Sequence, residues 1–177
     1  MLAVHHPQID TTAEADRLFL LFSCAGVRYG LDVGEVAEVL AQRRLQPVAQ
    51  APVWVAGIFS YRGSLVPVLD LSALLAGQPA ARRTSTRIVL VHYRRADGGP
   101  SHLLGLLVER AGETLRCAPS EFHDYGLDNP HAAYLGPVYQ GPQGLVQWVG
   151  VQALLPAEAH ALLFPDEPDA AAQEAST

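Results

Sequence analysis

Apolar residues in this chain come in short runs, and a turn bearing Gly or Pro cuts most of them before they can grow. Leu18 to Cys24 and Val27 to Leu31 flank Ala25-Gly26, a tight hairpin turn. Gly57 to Tyr61 and Ser64 to Leu69 flank Arg62-Gly63, where Gly63 supplies the positive φ a hairpin needs. Arg87 to Arg94 and Ser101 to Glu109 flank the turn cluster Ala96 to Pro100. Leu135 to Gln140 and Leu145 to Val149 flank Gly141 to Gly144. Short helices are predicted at Pro52 to Ala56, with Pro in the first turn, and at Ser72 to Leu75. Another is predicted to start near Gln152, with Pro156 to Leu163 extending it or opening a new one. Many short strands joined by such turns favour a mainly β barrel over a parallel sheet.

One unit occurs twice. Val66 to Ala76 reads VPVLDLSALLA and Val146 to Pro156 reads VQWVGVQALLP, so Val66, Ala73, Leu74 and Leu75 recur 80 residues later. Leu65-Val66 and Leu145-Val146 also agree, each after a turn containing Gly. Either a strand–turn–strand–helix unit is duplicated, or two apolar segments match by chance. Duplication makes the chain two similar small barrels sharing one core, with a seam near residues 76–86, where Gly77, Pro79, Arg82 and Arg83 form a polar connector. The folded body is expected over 18–164, between a flexible N-terminus at 1–17 and a disordered acidic tail at 165–177.

Charge and composition exclude several functions. All 12 basic residues are Arg, which removes phosphate-loop lysines, Schiff bases and the ATP-binding lysine of kinases. The net charge is -6. From Pro156 onward there are five acids and no Arg, leaving 13 acids against 12 bases in the rest. Neither part offers the basic footprint of a nucleic-acid binder. No apolar run approaches the ~18 residues that span a bilayer, and no basic-then-apolar leader opens the chain. A cytoplasmic protein without direct membrane insertion is the expectation.

No residue pattern points to catalysis or to a cofactor. Among seven histidines no pair has the i, i+4 spacing of a zinc helix. His5-His6 lies in the expected flexible end, and His123 and His131 flank Asp124, Tyr125 and Asp128 in a loop, short of the three or four convergent ligands a site needs. Cys24 and Cys117 match no CxxC pattern and read as small buried hydrophobes. There is no GxSxG elbow, and the Gly-rich stretches lack the strand–loop–helix setting that cradles phosphate. No catalytic, metal or cofactor residue is therefore assigned.

Val36-Ala-Glu38-Val39, followed by Gly57-Ile58-Phe-Ser-Tyr61-Arg62-Gly63 and Val66-Pro67-Val68-Leu69-Asp70-Leu71, resembles the CheW family in order and spacing. Tyr29-Gly30-Leu31 is similar to the family's first hairpin, and Leu104-Gly105-Leu106-Leu107-Val108-Glu109 to its later G-L-x-V-D strand. The likeness runs from about Leu18 to Leu155. Ser60-Tyr61 replaces a common Asn-Leu, and Val149-Gly150-Val151 lacks the usual Asp. These departures resemble the adaptors of Wsp-type surface-sensing pathways more than those of flagellar chemotaxis.

The resemblance implies two SH3-like five-stranded β-barrels sharing a core, with short helices. It also implies a non-catalytic adaptor, recruited to membrane receptor arrays, with two partners. One is the regulatory domain of a CheA-like histidine kinase; the other is the cytoplasmic tip of a methyl-accepting chemoreceptor. The partner-facing residues it suggests are Val36, Glu38, Val39, Ile58, Tyr61, Arg62 and Gly63. Two readings of Glu38 and Arg62 stand: a bidentate bridge shaping a receptor-facing groove, or a surface ion pair contributing ~0–1 kcal/mol. Asp70 reads as a helix N-cap rather than a contact. Alternatives to the adaptor are a ligand-binding or regulatory barrel module controlling a signalling enzyme, and a piece of a larger kinase or coupling–receiver fusion.

A polar acidic end buries little apolar surface. Deleting Asp166 to Thr177 is therefore expected to leave the melting temperature nearly unchanged in a calorimetric scan, and a loss of several degrees would show that this end packs on the body.

Overall fold

The computed structural model describes residues 14–126 and 129–165. Most of the expected flexible N-terminus, nearly all of the acidic tail, His5-His6 and Asp128 lie outside the described residues. In chain order the elements are β1 (Arg17–Cys24), β2 (Val27–Asp32), β3 (Val36–Ala41), β4 (Val55–Tyr61), β5 (Ser64–Asp70) and α1 (Leu71–Ala76). They continue with β6 (Arg87–Tyr93), β7 (His102–Cys117), β8 (Phe122–His123), β9 (Leu135–Gly141), β10 (Gly144–Val149) and α2 (Ala157–Leu163). Single 3-10 turns occupy Val33–Glu35, Pro119–Glu121, Pro130–Ala132 and Val151–Ala153.

Two hairpin turns take both central residues to positive φ: Ala25 (48°) with Gly26 (80°), and Arg62 (49°) with Gly63 (83°). That geometry matches the right-handed twist of the strands it joins. The helix expected at Pro52 to Ala56 is not formed. Val53 and Trp54 make a turn and Val55 already belongs to β4. Asp70 N donates to Trp54 O at 2.8 Å, which draws this stretch into pairing with β5. β7 also runs past Glu109, where the expected strand stopped, to Cys117.

That long strand joins two SH3-like barrels. Its first half pairs with β6 antiparallel and with β5 in parallel. β3 adds to β6, β4 to β5, and reciprocal Gln46–Ile58 backbone bonds of 2.8 Å bring the segment after β3 against β4. The second half of β7 pairs with β1, and the order continues β1-β2-β10-β9-β8. The N-terminal hairpin thus belongs to the second barrel, while β3 to β6 build the first. The sheets divide between Asp32 and Val36, and again near Glu109–Arg110. The seam expected at 76–86 is not there: that segment stays within the first barrel, linking α1 to β6. Arg110, at φ 51°, marks the place where β7 passes from one barrel to the other.

Side-chain alternation divides the apolar residues among three cores. Phe19 and Leu21 of β1 enter the second barrel with Phe122 and Val146, while Leu20, Phe22 and Cys24 face a central core. Ile88 and Leu90 of β6 fill the first barrel with Phe59, Val66 and Val68; Val89, Val91 and Tyr93 face the centre. Leu104, Leu106 and Val108 of β7 join them there, with Leu154, Leu155 and Ala159 closing over the top. Each fully buried Leu or Phe contributes about 1.5–3 kcal/mol.

The duplicated unit is structural. Gly150 N donates to Tyr134 O at 2.7 Å, the counterpart, 80 residues on, of the Asp70–Trp54 bond. Val68 lies in parallel register with Gly105, and Trp148 with Gly30. The copies differ where Gly150 replaces Asp70. The Asp70 carboxylate accepts from Ala73 N (3.1 Å), capping α1 as expected, and from Ala80 N (2.8 Å). Lacking that carboxylate, the second copy makes only the 3-10 turn Val151–Ala153.

Each parallel pairing has a glycine, and the first leaves no room for a side chain there. A Cβ on Gly105 would meet Val68 Cγ2 at 2.8 Å and Ile88 Cγ2 at 3.2 Å, whereas one on Gly30 would meet Val146 Cγ1 at 3.3 Å. Gly105→Ala is expected to lower the unfolding free energy by about 1–3 kcal/mol in a denaturant melt, and Gly30→Ala by less. Equal, small effects would contradict this account of the barrel interiors.

Candidate functional site

The hairpin turn at Arg62-Gly63 and strand β3 meet at one rim of the first barrel. β3 carries a bulge between Val36 and Glu38, which re-aims the Glu38 side chain. The Tyr61 hydroxyl, at the end of β4, donates a short hydrogen bond to Glu38 Oε2. The same oxygen lies 3.5 Å from an Arg62 guanidinium nitrogen. The Arg62 guanidinium carbon also sits 5.0 Å from the centre of the Tyr61 ring, a cation–π contact. Glu38, Tyr61 and Arg62 thus form one closed group, with Gly63 completing the turn beneath it.

The bidentate Glu38–Arg62 bridge is not what forms. One nitrogen reaches one oxygen, because the guanidinium lies over the Tyr61 ring and the phenol takes the same carboxylate oxygen. With the Arg62 and Glu38 side chains 78% and 40% exposed, the ion pair adds little stability. The hydrogen bond to Glu38 is the main reason the Tyr61 hydroxyl is pushed above its ordinary value; burial adds to it and Arg62 partly offsets it.

The remaining sequence-selected residues are placed differently. Val36 is partly buried against the central core. Val39 is 45% exposed, on the opposite face of β3 from Glu38. Ile58 lines a neighbouring groove of ≈ 690 Å³, together with Arg44, Leu45, Pro47 and Leu65. Arg44 and Leu65 of this groove, and Arg43 over the Phe59 ring beside it, were not selected from the sequence. The Arg43-Arg44 doublet was a visible signal, but only the fold shows that the segment after β3 returns alongside β4.

The Cys24 and Cys117 thiols are free and buried, and desolvation is the first cause pushing each above its ordinary value. Cys24 Sγ lies 3.3 Å from Ser72 Oγ, and Glu109 holds Ser72 Oγ (3.4 Å) and Ala81 N (2.7 Å). Those polar groups tie the 77–86 connector to the barrel. Among the described residues no three His, Cys, Asp or Glu side chains are grouped to hold a metal ion. In the loop singled out for its histidines, Asp124 Oδ1 accepts from Gly126 N, and the Tyr125 hydroxyl meets Gln147 Nε2. A second hollow of ≈ 480 Å³ opens among Asp32, Glu35, Tyr134, Trp148 and Gln152. Burial raises the Glu35 carboxyl there, against a hydrogen bond from Gln152.

Two shared-core barrels with this rim agree with what the sequence matches, the CheW-like domain over residues 18–159. The chain belongs to the CheW-like domain family. It is 28% identical over 97 residues to the chemotaxis protein CheW of Klebsiella aerogenes, covering 52% of this chain and 58% of that one. It is 27% identical over 99 residues to the CheW of Rhizobium meliloti, covering 56% and 60%. The chain thus spans about 60% of the length of these curated relatives. The solved structure of the scaffolding protein TtCheW from Thermoanaerobacter tengcongensis superimposes with a TM-score of 0.70 at 19% identity, covering 90% of this chain and 96% of that one. That likeness shows the fold. No helix among the described residues is long and apolar enough to cross a membrane.

The Tyr61–Glu38 bond sets a pH expectation. A phenol that donates to a carboxylate resists ionising, so the native protein keeps its proton to higher pH than the unfolded chain does, and this contribution is lost as pH rises through the raised value. Alkaline ultraviolet titration, read as the difference between the protein and its Tyr61→Phe variant, should show this phenol ionising above 10. Glu38→Gln should bring it down; no change in that variant would mean that Glu38 is not the cause.

Proposed function

We propose that the chain is a non-catalytic adaptor coupling a CheA-like histidine kinase to methyl-accepting chemoreceptors in a chemosensory array. The observation that carries it is the Glu38–Tyr61–Arg62 group, held at a barrel rim in a CheW-like fold. An adaptor needs a rigid body with separate faces, and the doubly buried strands supply the rigidity. One face takes the kinase's regulatory domain, and the other takes the cytoplasmic receptor tip as a helix in a groove. The chain works in the cytoplasm and reaches the membrane through its receptors. The partner-binding residues proposed are Val36, Glu38, Val39, Ile58, Tyr61, Arg62 and Gly63, with the Glu38–Tyr61–Arg62 group at their centre. Tyr61, which departs from the common family residue at its position, supplies the bond to Glu38, and this favours a specialised surface-sensing system.

The hollow beside Trp148 and Glu35 favours a second reading, a regulatory module that binds a small ligand. A ligand-induced rise in melting temperature distinguishes it.

Arg62 is exposed and its ion pair is weak, so Arg62→Glu should leave circular dichroism and melting temperature nearly unchanged. It should nevertheless reduce kinase activation in a reconstituted array, because the reversed charge repels Glu38 and removes the guanidinium's donors. Glu38→Arg combined with Arg62→Glu should recover part of the loss. Unchanged kinase output in Arg62→Glu would refute this reading of the rim.

A further inference from the structure

Position 150 is a glycine that the backbone does not need. It sits at φ -81° and ψ 105°, which any residue adopts, and a Cβ there would meet nothing nearer than Tyr134 O, at 3.7 Å. In the other copy of the repeated unit Asp70 takes the equivalent place, and its carboxylate draws the following connector back through Ala80 N. After Gly150 the chain instead turns through Val151–Ala153 and leads into α2, over the central core. With neither a carboxylate nor a returning segment to fill it, the hollow of ≈ 480 Å³ between Glu35 and Trp148 stays open.

We propose that this hollow binds a small organic cation, a protonated amine carried on an apolar body. The inference rests on the small-ligand reading of the hollow, names the ligand's chemical class, and does not depend on the adaptor role. The polar wall is already in place. Gln152 Oε1 accepts from Arg94 N (2.7 Å), and its Nε2 donates to His92 O (2.9 Å) and to Glu35 Oε1 (3.2 Å). Glu35 is thereby held from one side, while its Oε2 has no hydrogen bond or ion pair among the described residues. The other two charges of the lining answer each other. Arg17 Nη1 donates to Asp32 Oδ2 at 3.0 Å, and Asp32 Oδ1 accepts from Gly34 N at 2.8 Å. Glu35 is therefore the uncompensated charge of the hollow. Burial pushes its carboxyl up, as it does for an anion short of a nearby cation. Tyr134, Pro137, Trp148 and Val151 make much of the remaining wall apolar, and Trp is the side chain best suited to sit beside a cation. The volume falls within the roughly 300–1,000 Å³ of small-molecule sites. A metal ion is the poorer fit: both Asp32 oxygens are engaged, and among the described residues no three His, Cys, Asp or Glu side chains converge. An anion would meet Glu35 with Arg17 already paired.

Isothermal titration calorimetry on the full chain compares phenethylamine with 2-phenylethanol, which keeps the ring and replaces the ammonium by a neutral hydroxyl. The amine should bind about tenfold more tightly, with the gap narrowing at high salt. Glu35→Gln should close the gap by weakening the amine alone. Gly150→Leu, which fills the hollow from a position whose backbone accepts a side chain, should weaken both probes. If that variant lowers Tm by several degrees, Ala133→Leu, at an exposed position of the lining, replaces it with the same expected loss. Absence of binding by either probe overturns the proposal together with the small-ligand reading. Equal binding of the two, lost in the filled variant, overturns the amine and leaves the small-ligand reading standing. An amine preference that survives Glu35→Gln, or binding that survives filling of the hollow, also overturns the proposal, because the cation would then sit elsewhere. Binding of a Lys-bearing tripeptide without binding of phenethylamine would assign the hollow to a partner's lysine and overturn the free amine.

Discussion

β1, β6 and the first half of β7 bury both of their faces. Leu20, Phe22, Val89, Val91, Leu104 and Leu106 meet in the central core, while Phe19, Leu21, Ile88, Leu90 and Leu107 turn into the barrels. A strand buried on both sides cannot shift by one residue without exchanging two sets of core contacts. The barrels therefore cannot separate, or slide on each other, without exposing the middle layer. Gly30 and Gly105 are part of the same constraint, because parallel neighbours approach each barrel interior where a methyl group would collide at Gly105 and crowd Val146 at Gly30.

A body locked in this way leaves its rims available for recognition. Asp70 and Glu109 hold the connector after α1 through backbone amides, and their carboxylates serve the fold. The Glu38–Tyr61–Arg62 group is different. It sits at an exposed turn, adds little to stability, and joins residues from two strands into one polar surface. Rigidity comes from the core, and under the proposed adaptor role specificity is carried by side chains that the core does not need.

Much of this was legible in the chain. Glycine turns marked four hairpins, the 80-residue repeat foretold two related barrels, and Asp70 was readable as a cap. The seam was not, because the repeat concerns only a hairpin and its following helix. Nothing local shows that β1 and β2 complete the barrel begun by β9 and β10. Arg110 to Cys117 escaped notice because only Ala111, Leu115 and Cys117 are apolar in it, and its strand conformation comes from pairing with β1. Pro52 to Ala56 had a helix-like start that the Trp54–Asp70 bond overrides. At the rim, Glu38, Tyr61 and Arg62 were selected together, but the phenol's claim on the carboxylate could not be foreseen. Val36 and Val39 lie on neighbouring turns of the pattern yet have different surroundings, one against the core and one in solvent.

The most direct test of the central claim is co-sedimentation of a CheA-like kinase with vesicles bearing its receptor, with and without this chain, while kinase autophosphorylation is followed. The adaptor account predicts that the kinase sediments with the vesicles and responds to the receptor only when the chain is present. Recruitment and control that are equal without the chain would contradict it.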